Sequence, residues 1–359
     1  MIDFRYHLVS IVAVFLALAI GIVLGAAELQ GPTYNILNHT TAKLQNEYDQ
    51  TRGQLATAQA QANEGESYAQ AVEPAVLRDL LTGQRILIIT EPGAQSSVVS
   101  GITAAAADAG ASVTGQIALQ PEFFATSSTT QDSLNQTNLD VAHSAGISLA
   151  SSGTYQQQAV QVIASEILTN SPKPPADQTG GTQTGGTQTG SADQTSNAQT
   201  MLAAYASSGF LNTTGQPATQ ASLVVVVTPQ NVPADGSADP LAQVLPPMVT
   251  ELAATSSATV VAGSSAGSGP GSPMAVLRSN NVANQVSTVD DADLASGQSV
   301  VMQALAILLG GGKAGSYGYA GNGASAVAPN PAPTPSASAS ASVSPTPTPP
   351  SSTKKAKKK

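Results

Sequence analysis

The sequence predicts a tethered α/β protein: an N-terminal transmembrane helix, a helical and possible coiled-coil stalk, then an α/β domain on a mostly parallel sheet. Three observations predict it. Leu8 to Ala27 is a run of apolar residues with no charge and one hydroxyl, Ser10. Leu37 to Ala62 carries heptad spacing. Beyond residue 84, short continuous apolar runs alternate with helical patterns, the mark of βαβ units whose sheet is covered on both faces.

The first run is as long as a bilayer is thick. Twenty residues of helix rise about 30 Å, the depth of the hydrocarbon layer. Arg5 precedes it, and no Lys or Arg follows until Lys43, which favours a cytoplasmic N-terminus (1–7), a single anchor (8–27) and an extracytoplasmic body. A cleaved leader is the rival, with Gly25-Ala26-Ala27 as the small-residue site, but the run exceeds the usual leader core. Gly21 and Gly25 form a GxxxG step that lets two membrane helices approach closely; abundant Gly in membrane helices explains it as well.

The stalk is assigned to 33–73. Its seam reads Leu37, Thr41, Leu44, Tyr48, Thr51, Leu55, Ala58 and Ala62, with Lys43, Glu47, Asp49, Arg52 and Gln54 off it. Two Thr and two Ala weaken that seam, and Gly53 and Gly65 each cost about 1 kcal/mol of helix. A coiled coil and a single amphipathic helix both fit. Together with Gly21 and Gly25, the stalk suggests a parallel homo-oligomer. Pro74 is expected to end or restart the helix, with a short helix from Ala75 to Leu81 after it.

The α/β domain is assigned to 75–328. Strands are expected at Arg85–Thr90, Ser112–Leu119, Ser222–Thr228, Ala258–Ala262 and Val286–Val289. Helices are expected at Ser96–Ala109, Asp132–Leu139, Tyr155–Leu168, Leu241–Ala254, Pro273–Arg278 and from Ser296 to Leu309. Pro246-Pro247 should break or kink the fourth of these, and Asp293 or Ser296 should cap the last. Residues 171–198, with Gly-Gly-Thr-Gln-Thr twice over, read as a flexible insert, and 329–359 as a disordered Pro/Ser/Ala tail.

Composition excludes several functions. The chain has 359 residues, a net charge of −9 and no Cys, so disulfides, thiolate metal sites and Cys nucleophiles are out. Five of its thirteen Lys and Arg are Lys354, Lys355, Lys357, Lys358 and Lys359, leaving a strongly acidic body that argues against nucleic acid. That Lys tail could meet an anionic wall polymer or lipid; a merely solubilising end is the simpler account.

No motif points to catalysis. Gly263-Ser264-Ser265-Ala266-Gly267 matches G-x-S-x-G, but Ser-Gly-Pro-Gly-Ser-Pro follows instead of a helix, and no His exists beyond His143. Gly310-Gly311-Gly312-Lys313 resembles a phosphate loop only faintly, with Ile307 and Ala314 at the wrong positions, and reads as a helix stop. Asp290, Asp291 and Asp293 could take a hard cation, though charge at a helix start explains them too. His7, His39 and His143 share no ligand spacing. Catalytic and cofactor-binding residues are therefore expected to be absent, and no metal ligand is assigned.

Several strings resemble the actinobacterial MctB family: Phe4-Arg5-Tyr6-His7-Leu8-Val9-Ser10, then Ala13 to Ala19, then Gly21-Ile22-Val23-Leu24-Gly25. Near the far end, Ser287-Thr288-Val289-Asp290-Asp291, Gly311-Gly312 and Gly315-Ser316-Tyr317-Gly318 are similar as well. The resemblance covers most of residues 4 to 328. It implies copper efflux and resistance at the mycobacterial envelope, with a pore-forming role at the outer membrane, and copper as the transported ion. It implies no ligand set on these positions. Cu(I) prefers thiolate and thioether ligands and Cu(II) imidazole; this chain has no Cys and no paired Met or His. The expectation is an envelope protein of copper handling. The alternative is a scaffold or binding module that oligomerises through its anchor and stalk without binding copper.

Overall fold

The computed structural model describes residues 4–169, 189–230, 240–319, 325 and 328. The chain divides into two compact units, Met1–Ala71 and Val72–Lys359.

The first unit is one helix. The helix α1 runs Phe4–Leu77 without interruption, so the segments expected as anchor and stalk belong to a single element. Its stretch Arg5–Ala26 is long and apolar enough to cross a membrane, and none of that stretch is buried within the chain. The expected break at Pro74 does not occur. Proline there withholds one backbone donor, from the carbonyl one turn earlier. The helix nevertheless continues three residues to Leu77, which is fully buried in the second unit's core.

The second unit is a seven-stranded open sheet covered on both faces. Its strands are β1 (Arg85–Thr90), β2 (Ser112–Leu119), β3 (Leu211–Gly215), β4 (Leu223–Val227), β5 (Ala258–Ala262), β6 (Ser287–Val289) and β7 (Ser316–Tyr317). They stand in the order β3-β2-β1-β4-β5-β6-β7. All pairs are parallel except β2–β3. The helices are α2 (Ser96–Asp108), α3 (Ser128–Ala145), α4 (Tyr155–Ile167), α5 (Thr189–Ser207), α6 (Pro240–Thr255), α7 (Pro273–Arg278) and α8 (Ala295–Leu309).

Strand alternation assigns residues to two cores. Ile86 and Ile88 of β1, with Leu223, Val225 and Val227 of β4, pack with Val98, Ile102 and Ala105 of α2 and Val301, Met302 and Leu305 of α8. Leu87 and Ile89, with Val224 and Val226, pack with α3, α4, α5, α6 and α7 through residues such as Val141, Ile163, Tyr205, Leu252 and Leu277. The result is a three-layer α/β/α sandwich.

Local chemistry explains several boundaries. Ser127, Thr154 and Ser272 each accept a backbone N–H at the start of α3, α4 and α7, and Pro273 opens α7 at a position where no donor is needed. Gly146, at φ 68°, closes α3 in the left-handed conformation that glycine adopts freely.

Four further points differ from the sequence reading. First, α6 passes straight through Pro246-Pro247. Leu245, Met248, Val249 and Leu252 are all buried, and Thr250 Oγ1 donates to the Pro246 carbonyl at 2.8 Å. Core packing outweighs the lost ladder bonds. Second, the cap of α8 is neither Asp293 nor Ser296: Leu294 stands at the N-cap and offers no side-chain acceptor. Third, part of the expected flexible insert is ordered, because 189–198 forms the first half of α5, with Ala198 fully buried; 170–188 lies outside the described residues. Fourth, β3 and β7 carry no strong sequence signal, and β3 buries only Leu211. The tail 329–359 also lies outside the described residues.

The face carrying α3, α4 and α5 is tied by a buried polar relay. Tyr205 Oη donates to Asn138 Oδ1 at 2.7 Å, and Asn138 Nδ2 donates to the Tyr155 carbonyl at 2.8 Å. Replacing Tyr205 by Phe leaves the Asn138 acceptor buried and unpaired. It should cost about 1–3 kcal/mol, read as a lower thermal midpoint of the full chain in detergent.

Candidate functional site

Parallel strands place their carboxyl ends along one edge of the sheet, and ligand sites of open α/β folds lie outside that edge. Here the edge collects Thr90 at the end of β1 and Glu91 after it, Thr228 after β4, Ser264 after β5, and Asp290 and Asp291 after β6. All six are buried, and they include every buried carboxylate among the described residues. The topology reverses between β1 and β4, from which the chain winds to opposite sides of the sheet. The loops there are tied together. Gln95 Nε2 donates to Gln230 Oε1, and the Gln230 backbone N–H donates to the Gly93 carbonyl at 3.4 Å.

The densest chemistry lies at β6. Arg278, from the last turn of α7, pairs with Asp290 at 2.5 Å, with side-chain exposures of 8% and 0%. Its Nε donates to Thr288 Oγ1 at 2.9 Å and its Nη2 to the Tyr317 carbonyl at 2.7 Å. The second Asp290 oxygen accepts from the Tyr319 backbone N–H at 2.8 Å. One planar guanidinium thus joins α7, β6 and β7.

Asp291 differs. It is buried, and its Oδ1 has no hydrogen-bond partner among the described residues. A Cβ at Gly297, in the first turn of α8, would collide with the Asp291 carbonyl, so only glycine allows the helix to start this close to the strand end. Burial raises the Asp291 carboxyl to about 6, and the neighbouring Asp290 charge adds to the shift. Asp293 is exposed.

The residues singled out by motif are not brought together. Ser265 is exposed on a short 3₁₀ turn, Ser265–Gly267, and no helix follows it directly as a nucleophile elbow requires. Gly310 closes α8, Gly311 adopts φ 76°, and Lys313 is exposed beyond it: a helix stop. His7 and His39 lie exposed on α1 and His143 in the last turn of α3. Met201, Met248, Met274 and Met302 are core residues. Among the described residues no three His, Cys, Asp or Glu side chains are grouped to hold a metal ion. The residues that sequence reasoning missed are Arg278, Thr288, Tyr317 and Tyr319. Their one signal was that Arg278 is the sole Lys or Arg between Lys173 and Lys313.

Comparison with known proteins decides the family. The family described as "Copper transport outer membrane protein, MctB" matches residues 1–329. The chain belongs to this family. Copper transporter MctB of Mycobacterium tuberculosis is 28% identical over 330 residues, covering 90% of this chain and 98% of the relative. The Mycobacterium bovis protein of the same name matches equally, and that of Mycobacterium leprae is 25% identical over 331 residues. The match to the MctB family spans both units, the apolar N-terminal stretch and the Arg278–Asp290 network alike.

Two outcomes follow from the edge chemistry. Arg278→Ala leaves Asp290 charged and uncompensated in the core and should cost roughly 3–5 kcal/mol in denaturant unfolding. Arg278→Lys should recover only part of this, since an ammonium cannot span the same three acceptors. For Asp291, the folded carboxyl lies above its ordinary value of about 3.9, so the native state holds more protons than the unfolded one between about pH 4 and 6. Its contribution to stability therefore falls as pH rises through that window and is flat above it. Asp291→Asn should abolish that slope and raise the thermal midpoint at pH 7.

Proposed function

We propose that this chain is an envelope-anchored component of copper efflux and resistance, tethered by Arg5–Ala26, that acts through its folded domain and its partners without conducting copper along its own backbone. The observation that carries the reading is family membership across residues 1–329, which covers the apolar stretch and the α/β unit together. Copper is the cargo, not a resident cofactor.

The geometry supports the second half of the proposal. Membrane barrels need closed sheets with strands of about 9–11 residues. The strands here are two to eight residues long, in an open sheet with helices on both faces. The one described span candidate is a single helix. Of the buried carboxylates at the sheet edge, Asp290 is committed to the protein's own Arg278. No catalytic role is proposed for Ser265 or any other residue. The second unit would stand outside the cytoplasmic membrane, since Arg5 precedes the apolar stretch and Lys43 is the first cation after it.

A strain lacking the chain should stop growing at lower copper and hold more copper per cell, with both restored by the full chain. Unchanged growth and copper content would remove the copper role. Alkaline washing of membranes should leave the chain in the pellet, and protease added to intact spheroplasts should cut the second unit.

A further inference from the structure

The outward part of α1 presents a face that nothing in its own unit covers. Leu44, Tyr48 and Leu55 are 60%, 65% and 64% exposed, and a shallow apolar groove runs along Thr41, Leu44, Tyr48 and Thr51. These residues fall at alternating spacings of three and four, the a and d positions of successive heptads: Thr41, Tyr48, Leu55 and Ala62 at a, and Leu44, Thr51 and Ala58 at d. The Thr51 hydroxyl already donates to the Glu47 carbonyl at 2.7 Å, so burying its methyl face leaves no donor unmet.

We propose that this face pairs with the same face of a second copy of this chain, in parallel and in register, as a two-stranded coiled coil over residues 41–62. Charge selects that occupant and that direction. With the seam so placed, Glu47 is a g position and Arg52 the e position of the next heptad. In a parallel pair, g of one helix faces that following e of its neighbour. Glu47 of each copy then meets Arg52 of the other, twice by symmetry. The remaining flanking positions, Gln45, Gln54, Gln59 and Gln61, are uncharged, so the pairing brings no like charges together. An antiparallel pair would set e against e and g against g and lose both attractions. Among the described residues the Glu47 side chain has an exposed ion pair with Lys43 at 3.8 Å, worth little in water.

The parallel direction rests also on the anchor reading above, because a shared membrane at Arg5–Ala26 points every copy the same way. The GxxxG step is a separate surface. A helix turns about 100° per residue, so Leu44 lies about 140° round α1 from Gly21, as does Tyr48 from Gly25. The copy that covers the seam does not, along a straight pair, also cover Gly21 and Gly25.

The absence of Cys makes the test direct, since any introduced thiol is unique. In an in-register pair each seam residue meets its own counterpart. Leu44→Cys, Thr51→Cys and Leu55→Cys, as single variants of the full chain in intact membranes, should be captured as disulfide dimers by diamide. Asn46→Cys and Ala60→Cys, on the opposite face, should be captured at least tenfold less. Equal capture on both faces, none at the seam, or preferred capture at Gly21→Cys overturns the proposal. Adding Arg52→Glu to Thr51→Cys should lower capture about two- to tenfold, and adding Glu47→Arg to that chain should restore it; no restoration overturns the parallel register. The anchor is scored separately by alkaline washing. Seam capture in a chain that washes off the membrane upholds the pairing and refutes only the anchor. A chain that stays in the pellet without seam capture refutes the pairing.

Discussion

Strand β4 must satisfy two hydrophobic cores at once, and the second unit is arranged around that demand. Its five residues, Leu223 to Val227, are all fully buried, with alternate side chains directed to opposite faces. A strand of this kind cannot lie at an edge or face water on either side, so helices have to cover both faces. Parallel pairing to β1 and β5 then follows, because covering helices are supplied by the crossovers that join parallel strands. The antiparallel β3 sits at one margin of the sheet, where a mostly exposed strand is tolerated.

The same demand sorts polar groups in space. The buried carboxylates among the described residues all stand at the carboxyl edge. There Arg278 offsets Asp290 and spends its other donors on Thr288 and the Tyr317 carbonyl, which stitches the two-residue β7 onto the sheet. Asp291 is accommodated less well, and its raised carboxyl reflects burial with an oxygen left unbonded. This edge is where an open α/β sheet would normally receive a ligand. In this chain its best-defined cluster is filled by the protein's own ion pair, and so the structural and functional roles of the acidic group Asp290-Asp291-Asp293 part company.

The helix α1 follows a different logic. Proline in a helix costs about 3 kcal/mol where nothing compensates, yet Pro74 and Pro246-Pro247 lie inside helices. In α6 the compensation is visible as four buried apolar side chains around the prolines. Local sequence rules describe isolated segments, and the difference between an isolated segment and a packed one is the apolar area it buries. The same difference accounts for α5, whose polar start reads as flexible until Ala198, Met201, Leu202 and Tyr205 are seen in the core.

The sequence by itself determined the class of fold. Apolar runs such as Leu223 to Val227 and Ala258 to Ala262 mark buried strands through composition alone, and the charge-free run at Leu8–Ala27 marks a candidate membrane span through its length and composition. The extent of α3 was not legible: the helix expected at Asp132–Leu139 runs Ser128–Ala145, between the Ser127 and Gly146 caps. What only the tertiary structure decided was long-range: the strand order, the edge strands β3 and β7, the passage of α6 through its prolines, and the partnership of Arg278 with Asp290. Those two residues lie twelve apart on different elements, and no spacing rule connects them. Strand order and ion pairing depend on which surfaces meet once the two faces of β4 are covered, and that information resides in packing between segments and in no single segment.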